Sequence, residues 1–347
     1  MKIYLDSNKN YYKANMHCHS TNSDGKATPE KLKEEYMKRG YSIIAYTDHE
    51  HIIANNHLTD ENFVAITSFE MNIGEKTTPW NSFTRQFHRT THLNLYATTP
   101  DNDITICASP EKDKWGSEEL RSTVKYDGLH SMRNHTPEAI SKIIEFAHEK
   151  GFLVCFNHPV WSLDYEADYL NYEGLDFIEI FNTGCDRAGL YAYDQMIDVM
   201  VKHGKMVGCF AADDNHNGKG FDAYNCDSFG GWIMVNAEKL TYESVIDALK
   251  NHNFYASCGP EIYSIIKEGD KVTVKTSPAR KISKQTEGRQ GGAKIAEPGT
   301  TITEATFTLR ENEKVFRITV EDEYGYKAYS NPYPAHDEEN PYIEPAY

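Results

Sequence analysis

A chain of 347 residues is long enough to bury one large core or two ordinary ones. Its 52 acidic against 36 basic side chains leave a formal charge of -16, which argues against nonspecific binding to duplex DNA or to an anionic membrane surface. A small phosphorylated substrate stays open, because bound metal ions reverse the sign of the field locally. The first residues contain no signal-like apolar core and no run approaches the roughly 18 apolar residues of a membrane span, so a cytoplasmic protein is expected. The seven cysteines are odd in number, scattered and without a CxxC pair, which fits reduced thiols rather than a disulfide framework or a sulfur-ligated metal.

In chain order, the first motif is His17-Cys18-His19, with Asp24-Gly25 five residues on. Alternate residues of a strand project from one face, so His17 and His19 can offer two imidazoles to one cation. Thr28-Pro29-Glu30 reads as a cap, a proline in the first turn and an acid at the start of a helix that Gly40 ends. The apolar run 41–47 leads into Asp48 and His49, and the run 63–69 leads into Glu70. Residues 71–90 and 97–135 lack periodicity and are expected as long loops, the second as a lid, while His92 falls in the apolar run THLNLYAT between them. Thr136-Pro137-Glu138 opens a second helix that Gly151 ends, and the strand 152–157 meets His158-Pro159.

Further on, strand 177–182 carries Glu179 and Asn182, which lie three apart and so should face opposite sides, with one of them lining a site. Residues 189–203 predict a third helix, the run 205–212 meets Asp213 and Asp214, and Thr241 opens a fourth helix. Strands alternating with helices predict a β/α barrel or a doubly wound sheet, and a barrel is preferred because polar residues follow so many different strands and must converge. From residue 259 the pattern has period two, which predicts a β-rich module, sandwich or meander, over 259–347 behind a barrel of residues 1–258.

Carboxylates and imidazoles together suit zinc, manganese or iron, and nine such residues, His17, His19, Asp24, His49, Glu70, His92, His158, Asp214 and His216, exceed the needs of one tetrahedral ion, so several metals are held or some members only support the ligands. Asp48 and Asp213 sit beside these residues and are expected to support them as hydrogen-bond acceptors. His51, His57, His88, His130, His135, His148, His203, His252 and His336 follow no strand-end pattern and are expected as ordinary hydrogen-bonded or surface histidines. Neither a GxSxG elbow, a phosphate-binding glycine loop nor a kinase motif set is present.

The ordered set His17-x-His19 with Asp24-Gly25, Thr47-Asp48-His49, Glu70, His92, Asn157-His158-Pro159, the segment IEIFN at 178–182 and Asp214-x-His216 resembles the polymerase-and-histidinol-phosphatase (PHP) family over residues 15 to about 260. The segment from Gly231 to Ile262 resembles the lead into a C-terminal β module in stand-alone PHP proteins. The resemblance implies a distorted seven-stranded, TIM-like (β/α)7 barrel and metal-dependent hydrolysis of a phosphate ester by metal-activated water. It also implies a trinuclear centre: His17, His19, Glu70 and Asp214 at one ion; Glu70, bridging, with His92 and His158 at a second; Asp24, His49 and His216 at a third. Two or three divalent ions, zinc, manganese or iron, are therefore expected as cofactors, with Glu70 and Asp214 at the reacting centre. Arg187, on the loop after the strand bearing Glu179, is the first choice to bind phosphate, with Arg89 and Arg133 behind it. A small phosphorylated metabolite is the expected substrate, and neither nucleic acid nor membrane is an expected partner. Two other readings are an amidohydrolase on the same metal barrel and a metal-binding scaffold without catalysis.

Overall fold

The computed structural model describes residues 1–76, 87–190 and 193–336. The chain is a mixed α/β protein dominated by strands: β1 Lys2–Leu5, β2 Asn10–Cys18, β3 Tyr41–Tyr46, β4 Val64–Gly74, β5 Thr90–Ala97, β6 Ile104–Thr105, β7 Lys125–Tyr126, β8 Phe152–Phe156, β9 Phe177–Asn182, β10 Gly208–Ala212, β11 Trp232–Ala237 and β12 Phe254–Ser257. The tail continues with β13 Ile262–Glu268, β14 Lys271–Ala279, β15 Lys281–Thr286, β16 Gly292–Ile295, β17 Ile302–Thr308, β18 Val315–Glu321, β19 Lys327–Ser330 and β20 Tyr333–Pro334. Among these lie helices α1 Pro29–Met37, α2 Glu118–Arg121, α3 Pro137–Glu149, α4 Pro159–Ser162, α5 Glu166–Tyr169, α6 Thr183–Arg187, α7 Met196–Lys202 and α8 Tyr242–Lys250. No helix of the described residues is long and apolar enough to cross a membrane.

One large sheet runs β10-β9-β8-β5-β4-β3-β2 and then on through β11, β12, β19, β18, β15 and β16. Its first seven strands curl until the ends meet: Asp214 N donates to His17 O at 2.9 Å, His19 N donates to Asn215 O at 3.2 Å, and Cys18 and Asn215 form a parallel bridge. Most neighbours in this stretch are parallel, but β5 runs antiparallel to both β4 and β8, so strict alternation of strand and helix fails there. Residues 77–86, between β4 and β5, lie outside the described ones.

Helices α1, α3 and α8 start where the sequence places caps. Thr28, Thr136 and Thr241 accept from the backbone N–H groups of Lys31, Ala139 and Ser244, each satisfying one of the donors a helix start leaves open. The buried stripe Ile140, Ile143, Ile144 and Ala147 seats α3 on the core that β8 helps to form. The helix expected over 189–203 is shorter, α7 Met196–Lys202. Gly189 has φ +84° and Leu190 N donates to Cys185 O at 2.9 Å, so that stretch ends α6 instead of opening α7.

The tail is built of strands, β13 to β20, that fall into two layers. A four-stranded sheet β1-β13-β14-β17 faces the β15–β18 part of the large sheet over a second core that includes Leu5, Ile265, Val274, Ile282, Phe316 and Ile318. Its first strand is Lys2–Leu5, so residues counted with the barrel in the sequence pair here with β13, and residues 337–347 lie outside the described ones.

Candidate metal centre

Polar residues leave the curled sheet at one end and meet there. His17 and His19 sit at the end of β2, His49 just after β3, His158 after β8 and Asp214 after β10. Glu70 lies within β4, and His92 lies early in β5 because that strand runs the other way and begins at this end. All nine positions implied by the sequence are brought together.

Glu70 is the hub. It is fully buried, and its Oε1 has His92 Nδ1 at 2.9 Å, His158 Nε2 at 3.2 Å, His17 Nε2 at 3.3 Å and the Asn157 side-chain amide at 2.9 Å. Its Oε2 has His49 Nδ1 at 2.9 Å and His19 Nε2 at 3.5 Å. Asp214 Oδ1 lies 3.1 Å from His17 Nε2 and 2.9 Å from His19 Nε2. On the other side, Asp24 stands 3.3 Å from His216 Nε2, 3.7 Å from His49 Nε2 and 3.8 Å from His19 Nδ1. Donor atoms gather into overlapping sets: His19, Asp24, His49 and His216; His17, His19 and Glu70; Glu70, His92 and His158; and His17, His158 and Glu179.

These sets fit cations better than they fit one another. His19 Nδ1 and Glu70 Oε2 are buried and make no hydrogen bond, although other donor atoms crowd them, and His17 Nε2 faces His19 Nε2 at 3.2 Å. Lone pairs meeting in a buried site without protons between them are costly, and a divalent ion would satisfy them. Burial alone would push the Glu70 carboxyl up, but His92, His17 and His49 outweigh it and hold it well below the usual range. Burial, with His49 and His216 close by, pushes His19 down to about 4 and so keeps the ring neutral and able to ligate. Burial also works against a charged His216, yet Asp24 and Asp214 outweigh it and bring that ring up to about 9.

The backbone is shaped for this arrangement. His158 (φ 23°) and Asp214 (φ 52°) both take the left-handed region, which non-glycine residues avoid and which is concentrated at functional sites. At Gly25 a Cβ would lie 2.4 Å from His19 O, so the turn carrying Asp24 needs glycine there. Asp48 accepts from Ser20 N, Ser20 Oγ and Ser23 Oγ, and Asp213 accepts from Thr183 Oγ1, Tyr36 OH and three backbone N–H groups of 229–231. Both acids support the loops that bear ligand candidates.

Glu179 and Asn182 both face the site, contrary to strand alternation. The register of β9 on β10 slips between Glu179 and Phe181, which is a β-bulge, and it turns both side chains inward. Glu179 Oε1 lies 3.0 Å from His17 Nδ1, its Oε2 accepts from His158 N, and Asn182 Nδ2 donates to Glu179 Oε2 and Asp214 Oδ2. Above the ligands, Trp115 of the 97–135 segment stacks on His49 with centroids 4.6 Å apart, and Trp161 stands 5.1 Å from both His92 and His158.

A cavity of about 470 Å³ opens beside Asp214 and His216, with Trp161, Arg187 and Lys219 on its walls. Arg187 is half exposed there and bonds to Asp186 and to Cys226 O. Arg89 is held elsewhere, paired with Asp168 and stacked over Tyr165, and Arg133 is buried against Glu50. Of the histidines outside the ligand set, His51 pairs with Asp113, His135 with Thr91 and Asp164, and His148 with Asp176.

No family model matches the chain, and no curated protein matches it. Among solved structures, a two-domain protein from Bacteroides vulgatus containing a predicted PHP-like metal-dependent phosphoesterase is similar over 95% of this chain and 96% of its own, at 13% identity and a TM-score of 0.42. A candidate metal-dependent phosphoesterase from Bifidobacterium adolescentis matches 70% of this chain and 96% of its own at 15% identity and a TM-score of 0.37. An amidohydrolase from Chromobacterium violaceum with bound sulfate and no metal matches 61% and 93% at 13% identity and a TM-score of 0.35. At these scores the likenesses decide neither fold nor activity.

Proposed function

We propose that the chain is a metal-dependent hydrolase of small phosphate monoesters, built on a distorted seven-stranded β/α barrel of the PHP type. The observation that supports this best is the convergence of nine ligand-competent residues around Glu70, with buried lone pairs on His19 and Glu70 left without hydrogen bonds. His17, His19, Glu70 and Asp214 would hold one divalent ion, Glu70, His92 and His158 a second, and Asp24, His49 and His216 a third. When bound, such ions lower the pKa of water and neutralise charge on phosphate oxygens. Zinc, manganese and iron suit this mixture of imidazole and carboxylate.

The chain itself supplies the rest. Glu70 brings the negative charge that lets two cations lie close together. Arg187, on the cavity wall beside Asp214, offers a two-pronged donor to the outer oxygens of a phosphate and so favours a monoester, which has more such oxygens than a diester. Trp115 and Trp161 cover His49, His92 and His158 and keep bulk water from the ligand side.

The test is metal analysis by mass spectrometry on protein purified without added metal, beside a panel of phosphate monoesters, diesters and amides. Two or three transition-metal equivalents are expected, with monoester turnover lost to a chelator and restored by manganese, zinc or iron. Full activity with less than one equivalent would overturn the reading. Turnover of amides alone would replace it with amidohydrolase chemistry, and bound metal without any turnover would point to a scaffold.

A further inference from the structure

Glu70 has a neighbour on the same face of β4, Asn72, which stands opposite His92 on β5. The peptide groups of this pair turn away from each other: His92 O accepts from Asn157 N toward β8, while Asn72 N and O point to the far edge of β4. In such a non-hydrogen-bonded pair the side chains come closest, and Asn72 Nδ2 reaches His92 Nε2 at 2.9 Å. The far edge of β4 is where β3 has already ended. Residues 48–50 continue its pairing as far as Glu70, with Glu50 N donating to Glu70 O at 2.8 Å, and the chain then leaves through Glu50 in the left-handed region at φ 68°.

Two side chains take over from the missing strand. Glu50 Oε1 accepts from Asn72 N at 3.0 Å, and Arg133 Nη1 donates to Asn72 O at 3.0 Å while pairing with Glu50 Oε2. Both side chains are buried, and Arg133 Nε donates to Cys107 O at 2.7 Å. Arg133 comes from the segment that carries Trp115 onto His49, and His51 pins the same segment through Asp113 at 2.6 Å.

We propose that Glu50 and Arg133 form a clamp on the open edge of β4 that fixes Asn72 and, through its amide, the ring of His92. This rests on reading His92 as a cation ligand. Asn72 and Arg133 are positioning residues. An amide carries a donor and an acceptor, so Asn72 can meet either tautomer of His92 and hold the ring's other nitrogen toward Glu70. The clamp also makes the seating of the 104–132 segment and the affinity of the site at Glu70, His92 and His158 parts of one equilibrium.

Three proteins test this: the wild type; Asn72→Ala, at an exposed position where truncation leaves the packing intact; and the double variant Arg133→Met/Glu50→Gln, which removes both charges so that neither is buried alone. Manganese binding is measured by calorimetry, hydrogen exchange over 104–132 by mass spectrometry, and unfolding temperature alongside. One class of site should weaken by about 10- to 100-fold in both variants with the other classes unchanged. Exchange over 104–132 should rise in the double variant only, and Asn72→Ala should unfold at the wild-type temperature. Wild-type affinity in both variants would overturn the clamp, as would equal weakening of every class, which marks general loss of structure. A wild-type chain that binds neither manganese nor zinc overturns the function proposed above and the clamp with it.

Discussion

Glu70→Gln tests the centre most directly. The replacement keeps the shape of a fully buried side chain that touches four histidines within 3.3 Å, three on Oε1 (His92 at 2.9 Å, His158 at 3.2 Å and His17 at 3.3 Å) and His49 on Oε2 at 2.9 Å. It removes the charge that two neighbouring cations would share and puts an amide N–H₂ where ring nitrogens need an acceptor. Loss of support at a metal site weakens binding by about 10- to 100-fold. With two ions sharing this carboxylate, the smallest joint effect is about 100-fold, or about 2.7 kcal/mol at 1.36 kcal/mol per factor of ten. The assay is metal content and monoester turnover on the same preparation, with circular dichroism to establish folding. A folded Glu70→Gln protein with near-normal turnover and full metal content would refute the bridging role.

Arg187→Ala should cost about 2–4 kcal/mol in transition-state stabilisation and Arg187→Lys should lose the fork while keeping the charge, both with unchanged metal content; an unaltered ratio of monoester to diester turnover in both would make Arg187 a surface residue. Gly25→Ala forces the Asp24 turn away from His19 O, so it should destabilise the fold by about 1–3 kcal/mol in thermal unfolding and weaken the site at Asp24, His49 and His216; a wild-type melting curve would count against it. His216 is raised to about 9, so below that pH a proton must leave before a cation can bind, and the apparent affinity of that site should fall about tenfold for each unit the pH drops. Asp24→Asn removes one of the two acids that outweigh burial at His216 and should move the break to lower pH, and an affinity flat below about 9 in calorimetry would contradict this.

Most of the ligand candidates are legible in the sequence because they stand in or next to an apolar run, and a strand end is where a curled sheet collects side chains; Asp24, in a polar turn, shows only by its spacing from His17 and His19. The direction of β5 is not legible: THLNLYAT has the same apolar pattern whether its neighbours are parallel or antiparallel, and the connection from Gly74 to Thr90 is long enough for either. Glu179 and Asn182 illustrate a second limit, since one bulge reverses the parity that strand alternation assigns. The Glu50–Arg133 pair spans 83 residues and draws one partner from a stretch without periodicity, so nothing local announces it. Arg187 is exposed and bonds only to the adjacent Asp186 and to Cys226 O among the described residues, which leaves its role to be decided by substrate rather than by packing.

The position of β1 bears on how this molecule can be cut. Lys2–Leu5 covers β13 and sends Leu5 into the core of the tail, so a fragment starting at residue 259 would present the edge Ile262–Glu268 uncovered. That edge carries the buried residues Ile262, Ser264 and Ile265 and would offer open N–H and C=O groups to any other chain, which is the usual route to edge-to-edge aggregation. During synthesis the same strand must wait, unpaired, while more than 250 residues are added before its partner exists. A tail fragment should therefore stay in solution only when the first residues are grafted back ahead of Ile262 through a turn, which would convert a long-range pairing into a hairpin.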